Sequence, residues 1–291
     1  MKKIFIAFLS AALCVVSALT MTACAAPQKV KLINISLSQE QYGVAIKKGD
    51  TATKAKVDEI LTKLSGEGID VNGQTVTFNT LYTAEMNGNS DISIGTVKTS
   101  SSNRATELVV ATNAEFAPFE YMIGDSFGGI DMQVAKILAS EMGKTLVIKH
   151  MDFDAVLEDL KNGNSDIAMA GLTINAERAE EVDFSVAYYD TTQYIAVLES
   201  DTTFDDCTST EEVTAKLKEL KVTAGAAKAQ TGYFYLTGNE SFEFEGYSNL
   251  NVKAYKSIAM AVQDLSNGKI KLVCGDKDTL TAAINAVNEG I

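Results

Sequence analysis

From Leu108 onward the apolar residues switch repeatedly between two periods. Leu108 to Ala111 is a short apolar, β-branched run of the kind that forms a buried strand. Behind it Val134, Ile137, Leu138 and Met142 recur at helical spacing, with Asp131 placed to cap that helix and Gly143 to stop it. Thr145 to Lys149 reads as a strand. Phe153, Val156, Leu157 and Leu160 line one helix face that Gly163 closes, and Asp166 to Ala170 is a further buried strand. This order predicts a βαβ pattern and a largely parallel sheet covered by helices. After an extended segment, Thr191 to Leu198, the alternation restarts. Ser209 and Glu212 have capping-box spacing ahead of Val213, Leu217 and Leu220. Val222 to Ala224 is a strand, and a helix begins near Ala229. Asn251 to Tyr255 is the next strand. Ile258, Val262 and Leu265 share a helix face ended by Gly268, and Ile270 to Cys274 is the last clear strand. Two such runs predict two α/β lobes with a hinge. Ligand is expected in the cleft, beyond the carboxyl ends of the strands.

The front of the chain differs. Lys2 and Lys3 precede the apolar run Ile4 to Thr20, followed by Met21-Thr22-Ala23-Cys24. This reads as a lipoprotein signal with Cys24 as the lipidated first residue, holding the protein at the membrane through acyl chains. An ordinary cleaved signal and an uncleaved anchor are the alternatives. Val57, Ile60, Leu61 and Leu64 then mark a helix stopped by Gly66, and Tyr82 to Thr106 is a Ser-, Asn-, Thr- and Gly-rich linker.

The net charge of −13 over 291 residues argues against nucleic acid and against peripheral binding to anionic lipid. With Cys24 acylated, Cys207 and Cys274 are no disulfide framework, although a bond between them stays open. His150 is the single histidine, so no metal site is expected.

Arginine is scarce. It occurs only at Arg104 and Arg178, while lysine is used freely. Arg178 closes the stretch Gly171-Leu172-Thr173-Ile174-Asn175-Ala176-Glu177-Arg178, just past a buried strand. A guanidinium fork grips a carboxylate in bidentate fashion. Thr173 adds a hydroxyl and the turn adds N–H groups, so the stretch suits a small carboxylate-bearing ligand. The alternative is a surface arginine paired with Glu180 or Glu181.

Around that stretch stand Ala111-Thr112-Asn113-Ala114-Glu115-Phe116-Ala117-Pro118-Phe119-Glu120-Tyr121, Gly129-Ile130-Asp131, Asp152-Phe153-Asp154-Ala155-Val156-Leu157, Gly163-Asn164-Ser165-Asp166-Ile167 and Val182-Asp183-Phe184-Ser185. In order and spacing these blocks resemble the first lobe of the polar amino-acid solute-binding proteins of ABC importers. The resemblance continues more weakly through the second half. It implies an α/β, two-lobed periplasmic-binding-protein-like (type II) fold with a hinge. Such a monomer closes on an amino acid without a cofactor and delivers it to a permease.

One block is out of order. Glu40-Gln41-Tyr42-Gly43-Val44-Ala45-Ile46-Lys47-Lys48-Gly49-Asp50, with the helix behind it, resembles the family's C-terminal part yet stands at the front. This reads as a circular permutation. Residues 1–23 are the signal, 24–30 a tether and 31–82 the displaced segment, with a hinge strand at Ile35 to Ser38 and a helix packing on the first lobe. Residues 83–106 are the new linker, 107–192 the first lobe, and 193–291 the hinge and second lobe. Ile291 is expected near Lys31. The alternative is an unrelated module ahead of a truncated receptor.

Carried over by resemblance, Arg178 holds the ligand α-carboxylate, Gly171 and Thr173 surround the carboxylate or the amino group, and Asp276 accepts the α-ammonium group. Asp276 has a helix N-cap as its alternative role. Phe116 and Phe153 sandwich the side chain. Asn113 stands where receptors for basic amino acids carry an acid, which favours a neutral or polar ligand. In the second lobe Ala227-Lys228 replaces the family's Gly-Ser or Gly-Thr, and Lys228 adds a charge to the pocket or points to solvent. The rival functions are a dehydratase resembling the cyclohexadienyl dehydratases, with Glu115 as the nearest acid, and a sensor without transport.

Overall fold

The computed structural model describes residues 26–89, 94–95 and 97–291. Cys24 and the apolar leader lie outside them. Two five-stranded sheets form the centres of two lobes. In the first, Thr145–His150, Glu107–Thr112 and Ile167–Ala168 run parallel, with Leu108 opposite Leu146. All six residues of Glu107–Thr112 are buried, as expected of a strand covered on both faces. Val110 faces a core shared with the helices Thr51–Ser65 and Ile130–Glu141. Ala111 faces the opposite core, with Val156 and Leu160 of the helix Phe153–Lys161.

The second sheet has the order Val30–Ile33, Gln193–Leu198, Leu272–Asp276, Thr223–Ala227, Asn251–Tyr255. Its Tyr194, Ala196 and Leu198 face one core while Ile195 and Val197 face the other, the two-residue period of a strand buried on both faces. Cys207 and Cys274 are both free thiols, and Cys274 is buried.

The N-terminal segment feeds both sheets. Val30–Ile33 lies antiparallel on the edge of the second, against Gln193–Leu198. The chain then crosses, and Ala45–Lys47 inserts antiparallel between Ile167–Ala168 and Val182–Phe184 of the first. The helix Thr51–Ser65 is capped by Asp50, whose side chain accepts from the Thr53 N–H at 3.0 Å. It buries Val57, Ile60, Leu61 and Leu64 in the first lobe. At the other end of the chain, Asn288 of the helix Lys277–Glu289 exchanges two 2.9 Å hydrogen bonds with the Val30 backbone.

Three local expectations are corrected. The strand expected at Ile35 to Ser38 falls at Val30–Ile33. Residues Ser36 to Ser38 instead make the crossing, with the Leu37 N–H donating to the Gln193 carbonyl. The linker expected from Tyr82 onward begins inside a helix, Phe78–Met86, started by a reciprocal box between Thr77 and Thr80. Its shortness hid it: Leu81 is its one fully buried side chain, with Phe78 and Tyr82 half-buried against the same core. Asp131 does not cap its helix; Gly129 precedes it, and the Asp131 carboxylate turns inward to the Gly171 N–H (3.0 Å) and the Tyr188 hydroxyl (2.8 Å).

Candidate functional site

The two covalent crossings between lobes lie side by side. Glu40–Tyr42 pairs antiparallel with Tyr189–Thr191, and Ser36 and Thr192 share a hydrogen bond beside them. In front of this hinge lies an almost closed cavity of about 10 Å³. Phe116, Phe153, Ala170, Gly171, Thr173 and Arg178 line it from the first lobe, and Gln230, Thr231 and Asp276 from the second. That is below the roughly 300–1,000 Å³ of typical ligand clefts, and the lobes touch across it. The Thr173 and Thr231 hydroxyls are 3.0 Å apart.

Arg178 lies in the short helix Ala176–Glu181, whose cap Asn175 accepts from the Arg178 backbone N–H. The residue is half-buried, but its guanidinium points into the cleft. It donates to the carbonyls of Thr173 (2.9 Å) and Ala229 (3.3 Å) and lies over the Phe153 ring at 5.6 Å. Among the described residues it forms no ion pair, and Glu181 pairs with Lys161 instead. Burial brings its pKa down to about 10, with Glu40, Glu177 and Asp276 opposing that shift. A desolvated guanidinium with backbone partners only is poised for an incoming anion.

Asp276 ends the strand Leu272–Asp276 and is buried. It stands at the N-cap position of the next helix but makes no capping bond. Its carboxyl accepts from Tyr42 Oη (2.5 Å) and Thr191 Oγ1 (3.2 Å), one from each hinge strand. Desolvation, then the nearby Glu40 charge, raise its pKa to about 7. Glu40 accepts from Ser38 Oγ (2.6 Å) and Thr173 Oγ1 (3.1 Å).

Gly171 is dictated by geometry. Its φ is +53°, and a Cβ there would stand 2.6 Å from Phe116 Cε1. Its N–H is already taken by Asp131, whose pKa burial raises to about 6. Buried Glu120 beside it is pushed well above the carboxylate range, by desolvation and then by the Asp131 charge.

The structure thus gathers Phe116, Phe153, Gly171, Thr173, Arg178 and Asp276, and leaves two expected residues out of the lining. Asn113 is buried but braces the fold through a 2.8 Å bond from Nδ2 to the Met151 carbonyl. Lys228 is exposed and pairs with Asp154 at 2.7 Å on the rim. The rim carries a second bridge between the lobes, Lys256 with Glu115 and Asp152. The helix mouth lies two residues beyond the Ala227-Lys228 pair. The strand Thr223–Ala227 runs further than expected, the helix starts at Thr231, and Gln230 and Thr231 reach the cavity. Ala229 makes the turn at φ +60°, a conformation that favours glycine. Sequence reasoning therefore missed Gln230 and Thr231 by a shift of register. It also missed Glu40 and Tyr42, which lie more than two hundred residues from Asp276 along the chain.

A roomier groove runs along the outside of the first lobe, beside Lys136, Ser140 and Glu141. It faces solvent away from the hinge and gathers no residue of the second lobe.

Comparison with known proteins places this geometry. The profile of bacterial extracellular solute-binding proteins, family 3, matches residues 108–290, more than half of the chain. The arginine-binding extracellular protein ArtP of Bacillus subtilis is 36% identical over 95 residues, 33% of this chain and 37% of that protein. A probable histidine-binding protein of Neisseria gonorrhoeae is 29% identical over 170 residues, 57% of this chain and 58% of its own. The chain thus spans less than two thirds of either relative. Holo ArgBP from T. maritima superposes with a TM-score of 0.53 at 27% identity, covering 62% of this chain and 74% of that one. The architecture is therefore the two-lobed α/β fold of amino-acid-binding periplasmic proteins. No helix among the described residues is long and apolar enough to cross a membrane.

Proposed function

The chain belongs to the bacterial extracellular solute-binding proteins of family 3, and from that premise we propose that it captures an amino acid between its lobes for an ABC importer. One observation carries the reading: Arg178, with no acid partner among the described residues, and Asp276 line the same interlobe cavity. A zwitterion answers both, its carboxylate on the guanidinium and its ammonium on the aspartate, so neither charge stays buried alone. Phe116 and Phe153 flank the side chain. The cavity's two charges are then used by the α-groups, which favours a neutral or polar side chain. Cys24 tethers the protein to the membrane outside the cytoplasm by its acyl chains.

The test is calorimetry of the protein lacking residues 1–24 against the common amino acids. At least one should bind, and ligand at about a hundred times Kd should add about 2.7 kcal/mol of stability. A complete lack of binding across the set defeats the reading.

The same segment order supports circular permutation. Residues 31–82 act as the displaced C-terminal part of the receptor. They supply the crossing strand and a helix to the first lobe, and Asn288 meets Val30 where the old connection would run.

A dehydratase on this fold is the second reading, favoured by one feature. Asp276 is a cavity carboxyl with a raised pKa, as a general acid requires. Turnover of prephenate or arogenate separates it from a receptor.

A further inference from the structure

The N-terminal chain joins the fold at one end of the second lobe. The Gln28 N–H donates to the Ser266 carbonyl at 2.9 Å, and the Ser266 hydroxyl donates to the Gln28 carbonyl at 2.7 Å. The strand Val30–Ile33 begins two residues on. Val30 lies opposite Leu198, while Gln193, at the other end of that partner strand, lies opposite Asp276 of the site. The point of entry and the cleft therefore stand at opposite ends of the second-lobe sheet. The strand Gln193–Leu198 separates them, and six residues of strand span roughly 17–20 Å. Four residue steps lead from Gln28 back to Cys24. Fully extended they reach about 14 Å, less than the length of the sheet. An anchor at Cys24 therefore holds the far end of the second lobe and falls short of the cleft.

We propose that this far end of the second lobe is a membrane-facing surface that rests on anionic lipid headgroups, while the cleft and the first lobe stand off the bilayer. The inference rests on the Cys24 anchor and adds which face of the protein that anchor turns to the lipid. Reach alone also lets the molecule lie on its flank, and charge decides between the two poses. Residues 38–191, the first lobe with its hinge strands, carry 24 acidic side chains against 12 basic ones. Residues 28–37 and 192–291 carry 14 against 11. Lying flat brings the first-lobe excess within the roughly 8–10 Å over which salt leaves charges unscreened. Standing on the second lobe keeps it beyond that distance. Lys29, Lys271 and Lys221 stand just ahead of the strands that begin at Val30, Leu272 and Thr223, along this same end. All three are exposed and form no ion pair among the described residues, whereas Lys253 and Lys269 share Asp264. Glu199, Glu219 and Glu289 lie at this end as well, so the surface is close to neutral. The acyl chains supply the affinity, and the charges supply only the orientation.

The chain has no tryptophan, so a single one serves as a fluorescent reporter. Thr202→Trp places it past the strand Gln193–Leu198, at the far end of the second lobe. Thr145→Trp places it at the start of the strand Thr145–His150, at the far end of the first-lobe sheet. Both positions are exposed. Each full-length lipidated protein is reconstituted into vesicles of phosphatidylethanolamine and phosphatidylglycerol that contain a dansyl-labelled lipid. Energy transfer to that lipid should be about fivefold or more stronger from Thr202→Trp, because the short reach holds that end at the surface and both sheets separate the other end from it. Equal transfer from the two proteins, or stronger transfer from Thr145→Trp, overturns the inference. Adding Lys29→Glu, Lys221→Glu and Lys271→Glu together should lower the Thr202→Trp signal about twofold or more on these vesicles, and leave it unchanged on phosphatidylcholine. A signal unchanged on both overturns the headgroup contact. If the protein does not sediment with the vesicles and mass spectrometry finds no acyl group on its first peptide, the Cys24 anchor itself has failed, and this inference with it. Co-sedimentation with equal transfer defeats the inference alone.

Discussion

Lowering the pH from about 8 to about 5 should weaken amino-acid binding by about a hundredfold, through Asp276. In the ligand-free cleft burial and the Glu40 charge hold its proton up to about pH 7. A bound ammonium group needs the carboxylate, so below that point binding must first expel a proton. Each pH unit then costs about 1.4 kcal/mol, and two units cost about 2.7 kcal/mol. Above pH 7 the carboxylate is already formed and affinity levels off.

Stability of the ligand-free protein runs the other way. Because the folded pKa lies above the unfolded value, the native state keeps a proton that the unfolded chain releases between about pH 4 and 7. That contribution is present at low pH and lost as the pH rises through the window. The opposite signs separate a site effect from general acid damage. The assay is calorimetry with an amino acid whose side chain does not titrate, in two buffers of different ionisation heat. Proton release should be about one per ligand near pH 5, about half near pH 7 and almost none near pH 8. Asp276→Asn should flatten both curves. Affinity that stays constant in the wild type from pH 5 to 8 refutes the reasoning.

Arg178→Ala should cost binding about 3–5 kcal/mol by stranding the ligand carboxylate, with little change in ligand-free melting; near-wild-type affinity by calorimetry removes Arg178 from the site. Ala229→Gly should raise stability by about 1 kcal/mol in urea unfolding, because its φ of +60° strains an alanine; an unchanged midpoint means the strain is relieved elsewhere. Cys24→Ala should release the protein from the membrane fraction without altering affinity, and retention after cleavage points to another anchor. Moving residues 30–88 behind Ile291 through a short linker, with the chain then starting at residue 97 so that Lys98 to Asn103 still hold Glu107, should give a protein that binds the same ligand with similar affinity. Loss of folding in that protein counts against permutation.

Much of the architecture was legible because burial on both strand faces leaves apolar runs, and Glu107–Thr112 and Gln193–Leu198 are such runs. The helix Thr51–Ser65 announced itself through four buried residues at helical spacing and a stop at Gly66. The helix Phe78–Met86 did not, since nine residues with one fully buried side chain give too short a pattern to recognise. The end of that linker is ordered by a charge rather than by a pattern. Glu107 is buried and collects Lys98, Ser101 and the N–H groups of Ser102 and Asn103, which hold its carboxyl far below the usual range. The site was legible where its residues cluster in one turn, as from Gly171 to Arg178. It was hidden where tertiary contact alone makes the partnership, as between Tyr42 and Asp276. The register error in the second lobe has a single cause: glycine was sought at the turn, and the turn is made by Ala229.

The N-terminal segment bears directly on the proposed closure of the lobes. A hinge can respond to ligand only if a group in the site has different partners, or different charge, in the two states. Asp276 meets that condition through its position. It belongs to the second lobe, lines the cavity, and is held by Tyr42 and Thr191, which lie on the two paired hinge strands. Converting its carboxyl to a carboxylate on ligand binding strengthens both bonds at once, since hydrogen bonds to an ion are about twice as strong as neutral ones. Asp278, one helical step away, holds Tyr82 at 2.9 Å and Tyr189 as well, so the same helix start ties the hinge side at a second point. Two of these four donors, Tyr42 and Tyr82, come from the N-terminal segment. The segment therefore supplies half of the polar grip on the aspartates at this helix start, and reordering the chain preserves closure only if it preserves those two tyrosines.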